Sequence, residues 1–178
     1  MKNNILSFST SERRFLPLYK KTSSGGLAPT SPTTKLNMWV CKIGDGILGY
    51  AQFPGGASST DGVAIDSDYF GLSGSASYPY NLGRTATHEV GHCMNLRHIW
   101  GDATCGNDLV FDTPTHNDAN YGVQAYPHYS TCTGTPVEMT MNYMNYTDGR
   151  GMYMFSAGQK SRVAAIFVSG GARASFGI

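Results

Sequence analysis

The chain has 178 residues, 13 basic against 12 acidic side chains, a net charge of +1, and 14% charged residues. That balance excludes a strongly basic nucleic-acid binder and a polyacidic tail. Low charge with 12% aromatic residues excludes a disordered chain, and no apolar run of about 18 residues is present to span a membrane.

Length points to about one domain, and 22 glycines point to short elements joined by many turns. Residues 1–21 have no clean hydrophobic period. Their opening, MKNNILSFSTSERR, lacks the apolar run and small-residue cleavage site of a signal peptide. Residues 22–35, TSSGGLAPTSPTTK, read as a loop. Leu36 to Ile43 and Ile47 to Phe53 are β-prone runs around Gly44-Asp45-Gly46, which predicts a hairpin or a tight strand connection. Gly62 to Asp66 is a third short strand, and Asp68 to Tyr80 reads as loop. Asn81 is a fair N-cap for a helix over Leu82 to Met94. Residues 101–137 are rich in Gly, Pro, Asn, Asp and Thr; so long an irregular stretch is functional or held by clips. Ser156 and Gln159 make a capping-box pattern, Val163, Ile166 and Phe167 follow at helical spacing, and Gly170-Gly171 ends that helix. There is no internal repeat.

Four cysteines allow three pairings. Cys105 and Cys132 lie in polar loops that suit a disulfide, whereas Cys41, in a strand-like run, and Cys93, in a helix-like run, read as buried free thiols. One loop disulfide would place the chain outside the cytosol.

The informative segment is H-E-V-G-H-C-M-N-L-R-H, His88 to His98, which holds three of the five histidines. Chance produces H-E-x-x-H-x5-H in this composition on the order of once in ten thousand chains. On a helix His88 and His92 are about 40° apart and one turn along, so both imidazoles face one point and can share Zn²⁺. Glu89, on the adjoining flank, reaches a water at the metal and takes its proton. A straight helix would carry His98 about 240° away, so the helix must stop and the chain must turn. Asn95 stands at the midpoint and is among the few non-glycine residues that enter the left-handed region readily. Cys93 points away from the metal and reads as core packing.

H-E-x-x-H-x-x-N-x-x-H resembles the long zinc motif of the metzincin metalloproteases, with Asn95 for the usual glycine. The variant, together with NMWVCKIGDGILGYAQFPGG (37–56), TDGVAI (60–65), HEVGHCMNLRHIWGD (88–102), DTP (112–114), MNYMNYTD (141–148) and FSAGQKSRV (155–163), is similar to the pappalysin (cytophagalysin) family. The resemblance implies a metzincin-like catalytic domain of α/β (α+β) class: a small twisted mixed sheet, an active-site helix and a loop-rich C-terminal subdomain. It implies Zn²⁺ on His88, His92 and His98, Glu89 as general base, Met144 as an apolar floor, and Tyr146 as a hydrogen-bond donor to the tetrahedral intermediate. The Ile47 to Phe53 strand would pair with an extended substrate. Cys105 and Cys132 match one family disulfide, and Val123 and Gly151 stand where a second would be. Calcium is expected near Asp108, Asp112 and Thr113.

The expected function is zinc-dependent endopeptidase action on protein or peptide substrates, by a secreted monomer with no nucleic-acid partner. Two other readings stay open: a non-catalytic zinc-bearing binding domain, and an inactive truncated fragment. The family's upstream strand and helix have no counterpart before residue 20. Residues 1–21 are therefore expected to be a truncated N-terminal segment, and 22–178 the catalytic domain, its upper part reaching about 94 and its lower part running over 95–178. Asp148 and Arg150 each stand where they can bias substrate preference.

Overall fold

In the computed structural model, which describes residues 18–176, the apolar run Val63–Asp66 forms β3 at the centre of a three-stranded sheet. All four of its residues are buried, as befits a strand covered on both faces. β1 (Met38–Cys41) pairs with it in parallel, Met38 opposite Val63. β2 (Gly49–Ala51) pairs with its other edge antiparallel, Gly49 opposite Ile65. The runs around Gly44-Asp45-Gly46 are thus joined by a tight connection and do not form a hairpin, because β3 inserts between them. The carboxylate of Asp66, at the end of β3, accepts the N–H groups of Ile43 (2.7 Å) and Gly44 (3.1 Å) and folds that connection over the strand end. Most of the segment expected at 1–21 lies outside the described residues.

Side chains alternate across the sheet. One face gathers Trp39, Tyr50 and Ala64. Lys20 is buried against it, 3% exposed, with Nζ 4.8 Å from the Trp39 ring and 4.9 Å from the Tyr50 ring. Nζ also donates to the carbonyls of Thr60 (2.9 Å) and Gly62 (3.3 Å). The opposite face presents Val63 and Ile65 to Cys93, Ala86 and Val90 of helix α1 (Arg84–Cys93). α1 starts two residues later than the sequence suggests. Gly83 precedes it in the left-handed conformation, φ 69°, so Asn81 is not its cap and Leu82 lies outside it. Cys93 is a buried free thiol as expected, but Cys41 is only half-buried.

Below α1 the described residues form no further strands, apart from isolated bridges at Tyr129–Val137 and Asn142–Met154. Cys105 and Cys132 form a disulfide across 27 residues, with Cα atoms 5.7 Å apart. The fully buried Glu138 carboxylate accepts the Asn117 N–H (2.6 Å) and the Asn120 amide (2.9 Å). Helix α2 (Ala157–Ala164) carries the expected capping box: the Ser156 hydroxyl accepts the Gln159 N–H, and the Gln159 side chain accepts the Ser156 N–H. It ends before Gly170-Gly171; Ala165 is its C-cap, and Ile166 and Phe167 lie in the following turns.

The expected calcium site finds no support. Asp108 accepts the Thr113 hydroxyl (2.8 Å) and the Val110 N–H (3.1 Å). Asp112 turns instead to the start of α2, where it accepts the Ser156 hydroxyl (2.7 Å) and the Gly158 N–H (2.8 Å). These acids serve a turn and a helix N-terminus.

Burial pulls the Lys20 ammonium down to about 8, opposed by the charges of Asp61, Cys93 and Glu89. The folded chain therefore releases this proton before the unfolded chain does. Between pH 8 and 10.5 the unfolded state binds more protons, and stability rises with pH. Denaturant titrations across that window should show the wild type gaining on Lys20→Met; parallel pH profiles would refute the assignment.

Candidate metal centre

His88 and His92 stand one turn apart on α1, and Met94 is the helix C-cap. Asn95 then adopts φ 73°, the left-handed conformation its residue type permits. Leu96 is buried in the lower core with Ile99, Trp100, Met144 and Tyr146, and that anchor returns the chain so that His98 meets the helix. Nε2 of His92 lies 3.1 Å from Nε2 of His88 and 3.1 Å from Nε2 of His98. Three nitrogens held at about 2.1 Å from a tetrahedral ion would stand about 3.4 Å apart, so the spacing fits zinc. Among the described residues this is the one group of three or more His, Cys, Asp or Glu within ligand reach of one another.

The Nδ1 atoms decide the tautomers. His88 Nδ1 meets the Tyr143 carbonyl (2.7 Å), His92 Nδ1 the Leu96 carbonyl (2.8 Å), and His98 Nδ1 the Asp102 carboxylate (2.5 Å). Each partner is an acceptor, so each Nδ1 carries the proton and each Nε2 offers a lone pair. Burial, then the neighbouring His98, holds His88 down to about 3; the same causes together with His88 hold His92 well below its ordinary value. Both are neutral imidazoles, the form that binds metal.

Glu89 is 1% exposed, and its Oε1 has no hydrogen-bond partner. Burial pushes its carboxyl up to about 8, opposed by Lys20. An orphaned carboxylate oxygen one residue from a converging imidazole is what a metal with a water beside it requires. Gly49 of β2 makes room for it: a Cβ there would lie 2.9 Å from Glu89 Cγ and 2.9 Å from the Ala64 carbonyl oxygen.

Met144 is fully buried under the histidine helix. A Cβ on Gly91 would lie 2.4 Å from its sulfur, which explains the glycine inside H-E-V-G-H. Its turn is fixed by Asn142, whose Oδ1 accepts the Met144 N–H (2.8 Å) and whose amide exchanges hydrogen bonds with Gln159 of α2 (2.7 and 3.1 Å). The Tyr146 ring centroid is 4.9 Å from that of His98 and 5.7 Å from that of His88. Burial, with the charges of Glu89 and Asp102, holds its phenol far above the ordinary range, so it stays a neutral donor. Trp100 stacks on His98 at 4.3 Å, the planes 8° apart. Phe53 reaches within 5.3 Å of His92 and Tyr121 within 5.8 Å of Tyr146, both partly exposed.

Sequence reasoning named the three histidines, Glu89, Met144 and Tyr146, and the structure brings all six together. It missed Asp102, Trp100, Gly49, Gly91 and the Asn142–Gln159 pair. Asp102 had a signal, since a metal-bound histidine normally gives its other N–H to a carboxylate or carbonyl and Asp102 lies one helical turn's worth of residues beyond His98.

The model of the Peptidase M43 family, pregnancy-associated plasma protein-A, matches residues 32–167. An extracellular metalloprotease of Verticillium alfalfae is 38% identical over 136 residues, covering 72% of this chain and 48% of its own length. Extracellular metalloprotease 1 of Coccidioides posadasii is 36% identical over 139 residues, 74% of this chain and 49% of its own. The chain thus spans about half the length of these curated relatives. Mature mirolysin of Tannerella forsythia, solved with a cleaved peptide, superposes with a TM-score of 0.85 at 41% identity, over 94% of this chain and 64% of mirolysin. The mixed α/β fold is therefore that of the mirolysin catalytic domain, a metzincin.

Replacing Asp102 by alanine frees the His98 ring to rotate and should weaken metal binding by about 10–100-fold in a competition with a coloured chelator; unchanged affinity would dismiss the orienting role. Gly91→Ala drives a methyl into Met144 and should cost about 1–3 kcal/mol, read as a lower melting temperature.

Proposed function

The chain belongs to the pregnancy-associated plasma protein-A family of peptidases, and from that premise we propose that it is a zinc-dependent endopeptidase cutting protein or peptide chains by attack of water. The observation that carries this reading is the convergence of three Nε2 lone pairs beside the unpartnered Glu89 oxygen. His88, His92 and His98 would hold the ion. Bound there, zinc supplies Lewis acidity toward the scissile carbonyl and lowers the pKa of a water to roughly 7.

The protein's own groups do the rest. Glu89 accepts a proton from the attacking water and delivers it to the leaving amine. Tyr146, kept neutral, donates toward the oxygen that gathers negative charge. Asp102, Tyr143 and Leu96 keep the three imidazoles in register through their Nδ1 atoms. β2 is an edge strand of its sheet, so an extended peptide would add alongside Gly49–Ala51, passing Phe53 and Tyr121. Mirolysin's complex with a cleaved peptide supports a peptide substrate.

The extracellular names of the relatives and the Cys105–Cys132 disulfide support secretion; among the described residues no helix is long and apolar enough to cross a membrane. The proposed catalytic domain occupies 22–178 and acts as a monomer.

Casein digestion tests the whole reading. Wild type should cleave, a zinc chelator should abolish cleavage, and Glu89→Ala should lower kcat by about 10²–10⁴ while retaining one zinc per chain. Wild type that binds zinc yet cleaves nothing would replace the enzyme by a zinc-bearing binding domain.

A further inference from the structure

The last carbonyls of a helix have no donor within it. At the end of α1 the Gly91 and His92 carbonyls accept the N–H groups of Leu96 and Asn95, and the Cys93 carbonyl, with the Asn95 carbonyl just past the helix, is met by arginines from the C-terminal part of the chain. Arg173 Nε donates to the Cys93 carbonyl (2.8 Å), and Arg162 Nε donates to the Asn95 carbonyl (2.7 Å). The Leu96 carbonyl accepts from His92 Nδ1 (2.8 Å). Three carbonyls around the left-handed residue Asn95 are therefore held by one of the converging imidazoles and two guanidinium groups.

Arg173 is anchored more firmly than a surface cap. It is 3% exposed, and its terminal nitrogens grip both oxygens of Asp61 (2.7 and 2.9 Å), two residues before β3. Its own N–H donates to the Ile166 carbonyl (2.8 Å). One side chain thus ties the approach to β3, the end of α1 and the C-terminal turn. Both positive charges also face the negative end of the helix dipole. Asn95 tolerates the left-handed backbone by residue type, but the orientation of its peptide is set by what its carbonyl and those on either side of it meet. Only Leu96 and Arg97 separate Asn95 from His98, so a shift of the Asn95 peptide passes straight to the His98 ring. Arg173 lies outside the 32–167 region that matches the family.

We propose that Arg162 and Arg173 are positioning residues for His98, so that the C-terminal segment governs how tightly the centre holds its metal. The inference rests on the zinc reading of the three histidines. The experiment measures Zn²⁺ affinity by chelator competition, and the visible spectrum after Co²⁺ substitution, for wild type, Arg162→Met, Arg173→Met, Arg162→Lys and Trp39→Leu. Trp39→Leu truncates the core on the sheet face away from α1 and reports on general destabilisation. Each Arg→Met variant should bind Zn²⁺ at least about tenfold more weakly and show an altered Co²⁺ spectrum. Arg162→Lys, which keeps one donor for Asn95, should stay within about threefold, and Trp39→Leu should melt earlier with wild-type affinity. If Arg173→Met does not fold, Arg162→Met decides alone. Wild-type affinity in the folded arginine variants, or an equal loss in Trp39→Leu, would overturn this inference while leaving the zinc centre standing. A wild-type chain that takes up no zinc would overturn the zinc reading and this inference with it.

Discussion

Three imidazoles are packed with their Nε2 atoms turned toward one point, that of His92 lying 3.1 Å from each of the other two, and all three are shielded from water. Lone pairs buried without donors are costly, so the protein must hold each ring from behind. It does so with a carbonyl, a second carbonyl and a carboxylate on the three Nδ1 atoms. All three acceptors lie beyond the end of α1, Leu96 and Asp102 soon after it and Tyr143 far along the chain. The centre is thus joined to the lower half of the molecule at every ligand. A cation at the common point would convert the repulsion into bonding, so metal binding and folding share one free energy.

The same constraint organises what lies beneath. Met144 packs where Gly91 has no side chain, Asn142 ties the Met144 turn to Gln159, and Gln159 is itself part of the α2 capping box. Asp112 in turn seats the start of α2 through Ser156 and Gly158. A chain of single hydrogen bonds, each ordinary at about 1 kcal/mol, therefore runs from the irregular loop to the floor of the centre. On the upper side Gly49 lets β2 lie against Glu89 without collision. Sheet and floor close on the helix from both sides, and two aromatics, Phe53 and Tyr121, stay partly exposed at the rim.

Much of this was legible because it is local. His88, His92 and Glu89 follow from helical periodicity, Asn95 from its tolerance of positive φ, and the α2 cap from Ser and Gln three residues apart. The three strands were placed by their apolar runs to within two residues at either end. What escaped depends on partners distant in sequence. Nothing near Gly44-Asp45-Gly46 reveals that β3 will insert between the flanking strands, since that is settled by Asp66, about twenty residues on. Asn81 has the right chemistry for a cap, but Gly83 in the left-handed conformation stops the helix from reaching it. Asp108 and Asp112 have the oxygens a cation takes, but the partners the structure gives them, Thr113 for one and the start of α2 for the other, are known only from the fold.

The stacking of Trp100 on His98 carries an optical consequence. The chain has two tryptophans, and the other, Trp39, is packed on the far face of the sheet with Lys20 over its ring. An indole lying flat on an imidazole at 4.3 Å shares its excited state with whatever happens to that imidazole, while Trp39 provides a constant background. Filling or emptying the centre is then written into the intrinsic emission of the unlabelled chain, through one ring pair whose distance the lower core already sets.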